Sequence, residues 1–262
     1  MHMLVLPGTD GAESVLAWKM LPSGLRKKKP TVPAGNRVYA IGDVHGRADL
    51  LSEVFTRIDH DLILRPAAKI VQVLLGDYVD RGPNSREVID LLLTRQARHE
   101  VQLLKGNHET YPIRFLSDPT VLSEWRHMGG ISTLLSYGVR PTGSNDLQSQ
   151  QEAAMAFRDS IPDSHRRLLQ SLKLSFTCGD FFFVHAGVRP GTSLKRQSEH
   201  DLLWIREDFL LHEEHFGKII VHGHTPAKEP DVRPNRINID TGAYATGQLT
   251  CLVLEEDRIN FI

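Results

Sequence analysis

Five short polar clusters, each carrying glycine and each closing an apolar run, constrain this chain more than any other feature. They are GDVHG (42–46), GDYVDRG (76–82), GNHE (106–109), HAG (185–187) and GHTP (223–226). The runs before the first three, RVYAI, KIVQVLL and VQLLK, read as buried strands. Between them, ADLLSEVFTRIDHDLI has apolar residues at helical spacing (Leu50, Leu51, Val54, Phe55, Ile58, Leu62), and SREVIDLLLTRQA is a second helix. This β-α-β-α-β order predicts a mainly parallel sheet with right-handed crossovers. Asp43, Asp77 and Asn107 stand 34 and 30 residues apart, about one βα unit each. Successive strands therefore deliver all three to the edge where open α/β sheets gather their ligands.

Before and after this frame the pattern changes. Residues 1–35 contain Pro7, Pro22, Pro30 and Pro33 and no sustained periodicity, so they are expected to form a partly ordered N-terminal extension, with RKKKP (26–30) as a solvated linker. Residues 36–262 read as a single domain. Within it, 110–172 is a helical insert expected to overhang the cleft. LSFTCGD, FFFVHAG, KIIVHGH, RINIDTG and QLTCLVLEE then suggest a second sheet packed on the first, with helices outside. Gly179-Asp180 predicts a type I′ hairpin turn.

The side chains in the clusters share one chemistry. Carboxylate, imidazole and amide oxygen are ligands for manganese, iron or zinc. With His45, His185 and His224 there are enough donors for two ions, and Asp77, central in the series, is the expected bridge. Two ions roughly 3.5–4 Å apart form a clamp for phosphoryl displacement. Taken singly, Asp-x-His at a strand end is more often a turn pair, and GNHE could be a helix N-cap. Separate structural explanations for all five clusters would be a large coincidence. The glycines beside Asp43 and His45 let the backbone turn tightly and leave room for an ion.

Composition removes several competing readings. A net charge of −1 gives no global basic field for nucleic acid. Cys178 and Cys251 have no CxxC spacing, which argues against a disulfide framework or a thiolate zinc site. No apolar run approaches the ~20 residues that span a bilayer, and the first residues lack the basic start of a secretory signal. A soluble, cytoplasmic protein is expected.

The ordered set GDxHG, GDYVDRG, GNHE, HAG and GH resembles the phosphoprotein phosphatase (PPP) family of metal-dependent serine/threonine phosphatases, over residues 36–255. GHTPAKEP…NRINIDTGAYATGQL and DLLWIRE resemble its short bacterial and phage members. The resemblance implies an α/β metallophosphoesterase-like fold, a central β-sandwich of two mixed sheets flanked by helices in αββα layers. It implies two divalent ions, manganese first, with iron or zinc as alternatives. Asp43, His45 and Asp77 would hold one ion, and Asp77, Asn107, His185 and His224 the other. A hydroxide bridging the ions would attack in one step. His108 would be the general acid, oriented by Asp80, while Arg81 and Arg206 would bind phosphate oxygens. The implied substrate is a phosphoprotein or phosphopeptide.

An alternative is a hydrolase of dinucleoside polyphosphates or another small phosphoester, resembling the symmetrical diadenosine tetraphosphate hydrolases. Those tend to lack the Asp80 equivalent and to read GNHD, so this criterion favours the protein phosphatase. A branch ending in GHxH is disfavoured by Pro226. A catalytically dead binding module would have lost ligands, and none is missing.

Other residues carry weaker signals. Tyr244 matches a tyrosine near the substrate cleft of those relatives. His222 should face away from the site by strand alternation. Trp125 and Trp204 are expected packing anchors. Lys105 stands where relatives often carry arginine, which leaves open whether it lends charge to the pocket.

Overall fold

The layering follows from side-chain alternation along short strands. The computed structural model describes residues 29–262; residues 1–28, most of the expected N-terminal extension and the start of its basic run, lie outside the described residues. β1 (Asn36–Ile41) sends Val38 and Ala40 to one face and Tyr39 and Ile41 to the other, all four buried. Helix α1 (Ala48–Leu64) follows, then β2 (Lys69–Leu74), α2 (Ser85–Gln96) and β3 (Val101–Leu103). The three strands run parallel, as their spacing predicts.

The insert contains α3 (Thr110–Phe115), α4 (Leu122–His127), α5 (Gly130–Ser136), α6 (Leu147–Ser160) and α7 (Asp163–Gln170). Its apolar residues, Phe115, Trp125 and Phe157 among them, join the core on the helical face of the first sheet. Within the insert Gly129, with φ of +92°, separates α4 from α5.

β4 (Ser175–Cys178), β5 (Phe181–Val184), α8 (Glu199–Trp204), α9 (Glu207–Leu210), β6 (Ile219–His222), β7 (Asp231–Val232), β8 (Arg236–Asn238), α10 (Ala243–Thr246), β9 (Cys251–Glu255) and β10 (Arg258–Phe261) complete the order. The sheets are β10-β9-β1-β2-β3 and β4-β5-β6-β8-β7. Phe181, Phe183, Ile219, Val221 and Ile237 meet Val38, Ala40, Val71 and Val73 between the sheets. Phe182, Val184 and Ile220 face outward, under Leu202, Ile205 and Phe209. The result is the expected αββα sandwich.

Two details differ from expectation. QLTCLVLEE supplies β9 to the first sheet, antiparallel to β1, rather than to the second. Its alternation would suit an inner face of either sheet, so the strand's own pattern does not name its partner. In the β4–β5 hairpin only Gly179 has a positive φ, +56°, while Asp180 does not. That is the signature of type II′, which asks for glycine at the first central position alone. No helix among the described residues is long and apolar enough to cross a membrane.

Candidate metal centre

The parallel strands of both sheets aim their C-terminal ends at one buried cleft. GDVHG follows β1, GDYVDRG follows β2, GNHE follows β3, HAG follows β5 and GHTP follows β6. Among the described residues, six non-glycine residues have positive φ, and five are here: His45, Asp77, Asp80, Arg81 and His224. Such backbone costs of order 1–3 kcal/mol per residue and persists where the surroundings over-determine it.

Asp77 sits between two histidines. His45 Nε2 lies 3.4 Å from its Oδ2, and His185 Nε2 lies 3.4 Å from its Oδ1. Each imidazole is fixed from behind, since His45 Nδ1 bonds the Val79 carbonyl at 2.9 Å and His185 Nδ1 that of Leu75 at 3.0 Å. Those bonds place the ring proton on Nδ1 and leave Nε2 as a lone pair facing Asp77. His185 Nε2 also meets Asn107 Oδ1 at 2.9 Å and His224 Nδ1 at 3.2 Å, and His224 Nδ1 meets Asn107 Oδ1 at 2.9 Å. Asp43 Oδ2 accepts the His224 backbone N–H at 3.0 Å. All six expected ligands are therefore gathered in one place, each less than a tenth exposed.

The donor set fits divalent cations on observations of its own. Lone pairs from imidazole, amide and carboxylate converge with few protons between them. Two triads, His45–Asp77–His108 and Asp77–His185–His224, bring potential ligand atoms within 4.8 Å of one another. Asp43 Oδ1 and His224 Nε2 are buried without a hydrogen-bond partner. A Cβ on Gly223 would lie 2.1 Å from Asp43 Oδ1, and one on Gly106 would lie 2.1 Å from Asp77 Oδ1. The cradle is thus built to the dimensions of glycine.

Electrostatics prepares the same groups. Burial pushes His45 down to about 3, and burial followed by His185 pushes His224 down to about 2, so both are neutral near pH 7. Neutral imidazole is the form that binds metal. Burial alone would raise Asp77, but the surrounding imidazoles hold it below the usual carboxylate range. Asp43 is raised by burial and then by Asp240 and Asp77, against the weaker pull of the His224 N–H and of Arg81.

A second group of residues borders the cradle. His108 Nδ1 bonds Asp80 Oδ2 at 2.7 Å, and its Nε2 lies 3.3 Å from Arg81 Nη2. The Arg81 guanidinium lies 4.8 Å from the centre of the Tyr244 ring, which is 40% exposed at the mouth. Arg206 is exposed at the rim and bonds Thr225 Oγ1 at 3.2 Å.

With this geometry in view, the match of a family model to residues 36–259 is decisive; the model is described as calcineurin-like phosphoesterase. The chain belongs to the calcineurin-like phosphoesterase family. As a calcineurin-like phosphoesterase it is 26% identical over 231 residues to an asymmetrical bis(5'-nucleosyl)-tetraphosphatase of Anoxybacillus flavithermus, across 81% of this chain and 88% of that one. A serine/threonine-protein phosphatase of Arabidopsis thaliana is 35% identical over 109 residues, but these are 41% of this chain and 10% of the relative. A crystal structure of a protein provisionally called a diadenosine tetraphosphatase superposes with a TM-score of 0.58 at 18% identity, covering 89% of this chain and 97% of that one. At that identity the likeness speaks for the fold alone.

The structure also places the other singled-out positions of this calcineurin-like phosphoesterase. Lys105 is engaged by Glu199 at 2.7 Å and ties β3 to α8. His222 does face away, packing against Phe209 with ring centres 4.9 Å apart. Trp125 packs against Phe115 and Phe157, but it also donates to Asp80, a role its sequence context does not signal. Glu109, used in the sequence only to tell GNHE from GNHD, and Asp240 were given no role there. Glu109 stands in GNHE, where its motif was a signal, and it accepts four backbone N–H groups. Asp240 follows β8 and is buried beside Asp43, and burial raises it to about 6.

Proposed function

We propose that this metallophosphoesterase hydrolyses dinucleoside polyphosphates of the diadenosine tetraphosphate class, with asymmetrical cleavage. The observation that carries the reading is the extent of likeness. Asymmetrical tetraphosphatases align over four-fifths of this chain, whereas the protein phosphatase match stops at 109 residues. The half-exposed Tyr244 ring, 5.5 Å from the His45 ring, adds an aromatic face at the mouth, a surface on which a nucleobase stacks readily. The preference drawn from Asp80 and GNHE was set against symmetrical hydrolases alone, and the extent of likeness outweighs it here.

In this reading Asp43, His45 and Asp77 hold one divalent ion, and Asp77, Asn107, His185 and His224 hold a second. Two ions so held supply Lewis acidity toward the phosphoryl group and lower the pKa of water. Arg81 and Arg206 take phosphate oxygens as fixed cations. His108 is the general acid. Its Nδ1–H donates to Asp80, and Nε2, pointing to the same space as Arg81 Nη2, hands its proton to the leaving oxygen as the phosphorus–oxygen bond breaks.

The Asp80–His108 pair specifically favours a second reading. A serine or threonine alkoxide is a far poorer leaving group than a nucleotide phosphate and needs such an acid more. The deciding experiment compares diadenosine tetraphosphate with a phosphoserine and phosphothreonine peptide panel, using manganese-loaded protein. ATP and AMP as products, at a kcat/KM well above any peptide, is the expected result. Faster turnover of a peptide would replace the first reading with the second.

A further inference from the structure

The helical insert does more than cover the domain, because it reaches directly into the acid pair. Asp80 is fully buried, and each of its carboxylate oxygens is engaged by the insert. Trp125 Nε1, from α4, lies 3.0 Å from Oδ1 and 2.9 Å from Oδ2. Thr133 Oγ1, from α5, donates to Oδ1 at 2.6 Å and accepts the Asp80 backbone N–H at 2.9 Å. The next residue is held in the same way. Arg81 N–H donates to the Gly129 carbonyl at 3.2 Å, and Ser132 Oγ donates to the Arg81 carbonyl at 3.1 Å.

Asp80 and Arg81 are consecutive residues with φ of +71° and +66°. Neither side chain favours that conformation, so it needs external support. Much of that support comes from the α4–α5 elbow, beside Ser85 Oγ of α2, which also accepts the Asp80 N–H at 3.1 Å. Gly129 is the closest approach, since a Cβ there would lie 2.9 Å from Arg81 N. Gly130 continues the fit, because its Cβ would strike the Trp125 indole at 2.4 Å. The two glycines let the elbow close on the indole and on the Asp80-Arg81 dipeptide together.

We propose that Trp125 and Thr133 are positioning residues for the Asp80–His108 pair, so that the insert governs turnover of poor leaving groups. The inference rests on His108 acting as general acid. Neither residue touches the phosphate. Their donors fix which way the Asp80 carboxylate faces, and through the 2.7 Å bond they aim His108 Nε2 at the leaving oxygen. An acid misaimed by a fraction of an ångström loses proton transfer while phosphate binding at the ions and Arg81 persists.

The test uses full-length, manganese-loaded protein with p-nitrophenyl phosphate, a good leaving group, and phenyl phosphate, a poor one. Trp125→Phe keeps the ring and removes the N–H; Thr133→Val keeps the shape and removes the hydroxyl. Each is expected to lower kcat for phenyl phosphate by about 10–100-fold, a fraction of full general-acid loss, with much smaller loss on p-nitrophenyl phosphate and little change in KM. Thr133→Ser, which restores the hydroxyl, should recover most of the turnover, and the manganese-induced rise in Tm should persist in all three. His108→Asn is the reference and should show the same selectivity, more strongly. If His108→Asn is selective while Trp125→Phe and Thr133→Val slow both substrates equally or neither, the positioning role is wrong. If His108→Asn is itself unselective, the general-acid reading falls and takes this inference with it.

Discussion

Glu109 holds Asp77 by its backbone, Oε2 accepting the Asp77 N–H at 2.8 Å. The same carboxylate takes the N–H groups of Gly106 at 2.9 Å, Tyr78 at 2.7 Å and Val79 at 3.3 Å. Two motifs far apart in sequence are thereby locked together, and Asp77 is kept at φ +50° with its oxygens turned into the cradle. Burial and then the Asp77 charge push Glu109 up to about 8, against the pull of His108 and these N–H donors. A cation seated at Asp77 relieves that pressure.

Replacing Glu109 with Gln turns one acceptor into a donor among four inward-facing N–H groups. A buried donor left unpaired costs about 1–3 kcal/mol. The expected result is a loss of that size in denaturant unfolding, with manganese affinity down about 10–100-fold, as for outer partners of metal ligands generally. Unchanged manganese affinity would show that Asp77 needs no such support.

Chelation tests the cradle itself. Removing divalent ions should abolish phosphoester turnover, and manganese added back should restore it. Because ions bind the folded chain alone, saturating metal should also raise Tm, by the equivalent of about 2.7 kcal/mol at one hundred times Kd. Asp77→Ala is expected to lose the turnover and the Tm rise together, as befits a shared ligand. Retained metal-dependent Tm in that variant would rule out Asp77 as the bridge.

Gly223→Ala probes the space rather than the ligands. Its Cβ would lie 2.1 Å from Asp43 Oδ1, so the carboxylate must turn away. Metal binding and turnover should both weaken with every ligand still present. Gly143→Ala, where a Cβ meets nothing within 4 Å, should leave both unaltered. Equal behaviour of the two variants, by isothermal titration with manganese, would show that the cradle has slack.

The cluster-bearing strands were legible because strand period and glycine punctuation are local, and βα spacing carries them to one edge. Asp43, His45, Asp77, Asn107, His185 and His224 could be named on that basis. Trp125 and Thr133 could not, since a tryptophan at a helical apolar position reads as core whether or not its N–H finds a buried carboxylate. The membership of β9 was hidden for a related reason, its alternation being compatible with either sheet. Substrate class was not legible from Asp80 and GNHE, because a two-residue criterion weighs less than a likeness that runs over four-fifths of the chain.

Arg189 braces the segment that carries Arg206. It bonds Asp201 Oδ1 at 3.0 and 2.6 Å and Asp208 Oδ2 at 2.9 Å, spanning from α8 to α9 across the elbow that carries Arg206. Arg206 has φ −130° and ψ −99°, a turn that side-chain bracing on both sides would hold. Arg189→Ala should therefore lower kcat/KM, though by less than Arg206→Ala. The clamp also has a pH signature. The Arg189 hydrogen bond holds Asp201 below the usual carboxylate range, outweighing burial. A depressed folded-state pKa means stability that is fully present above an unfolded value near 4 and lost as pH falls through the folded value. Urea midpoints of the wild type and Arg189→Ala should differ at pH 7 and converge as pH drops below about 4. A constant gap across that range would mean that Arg189 acts through packing and not through Asp201.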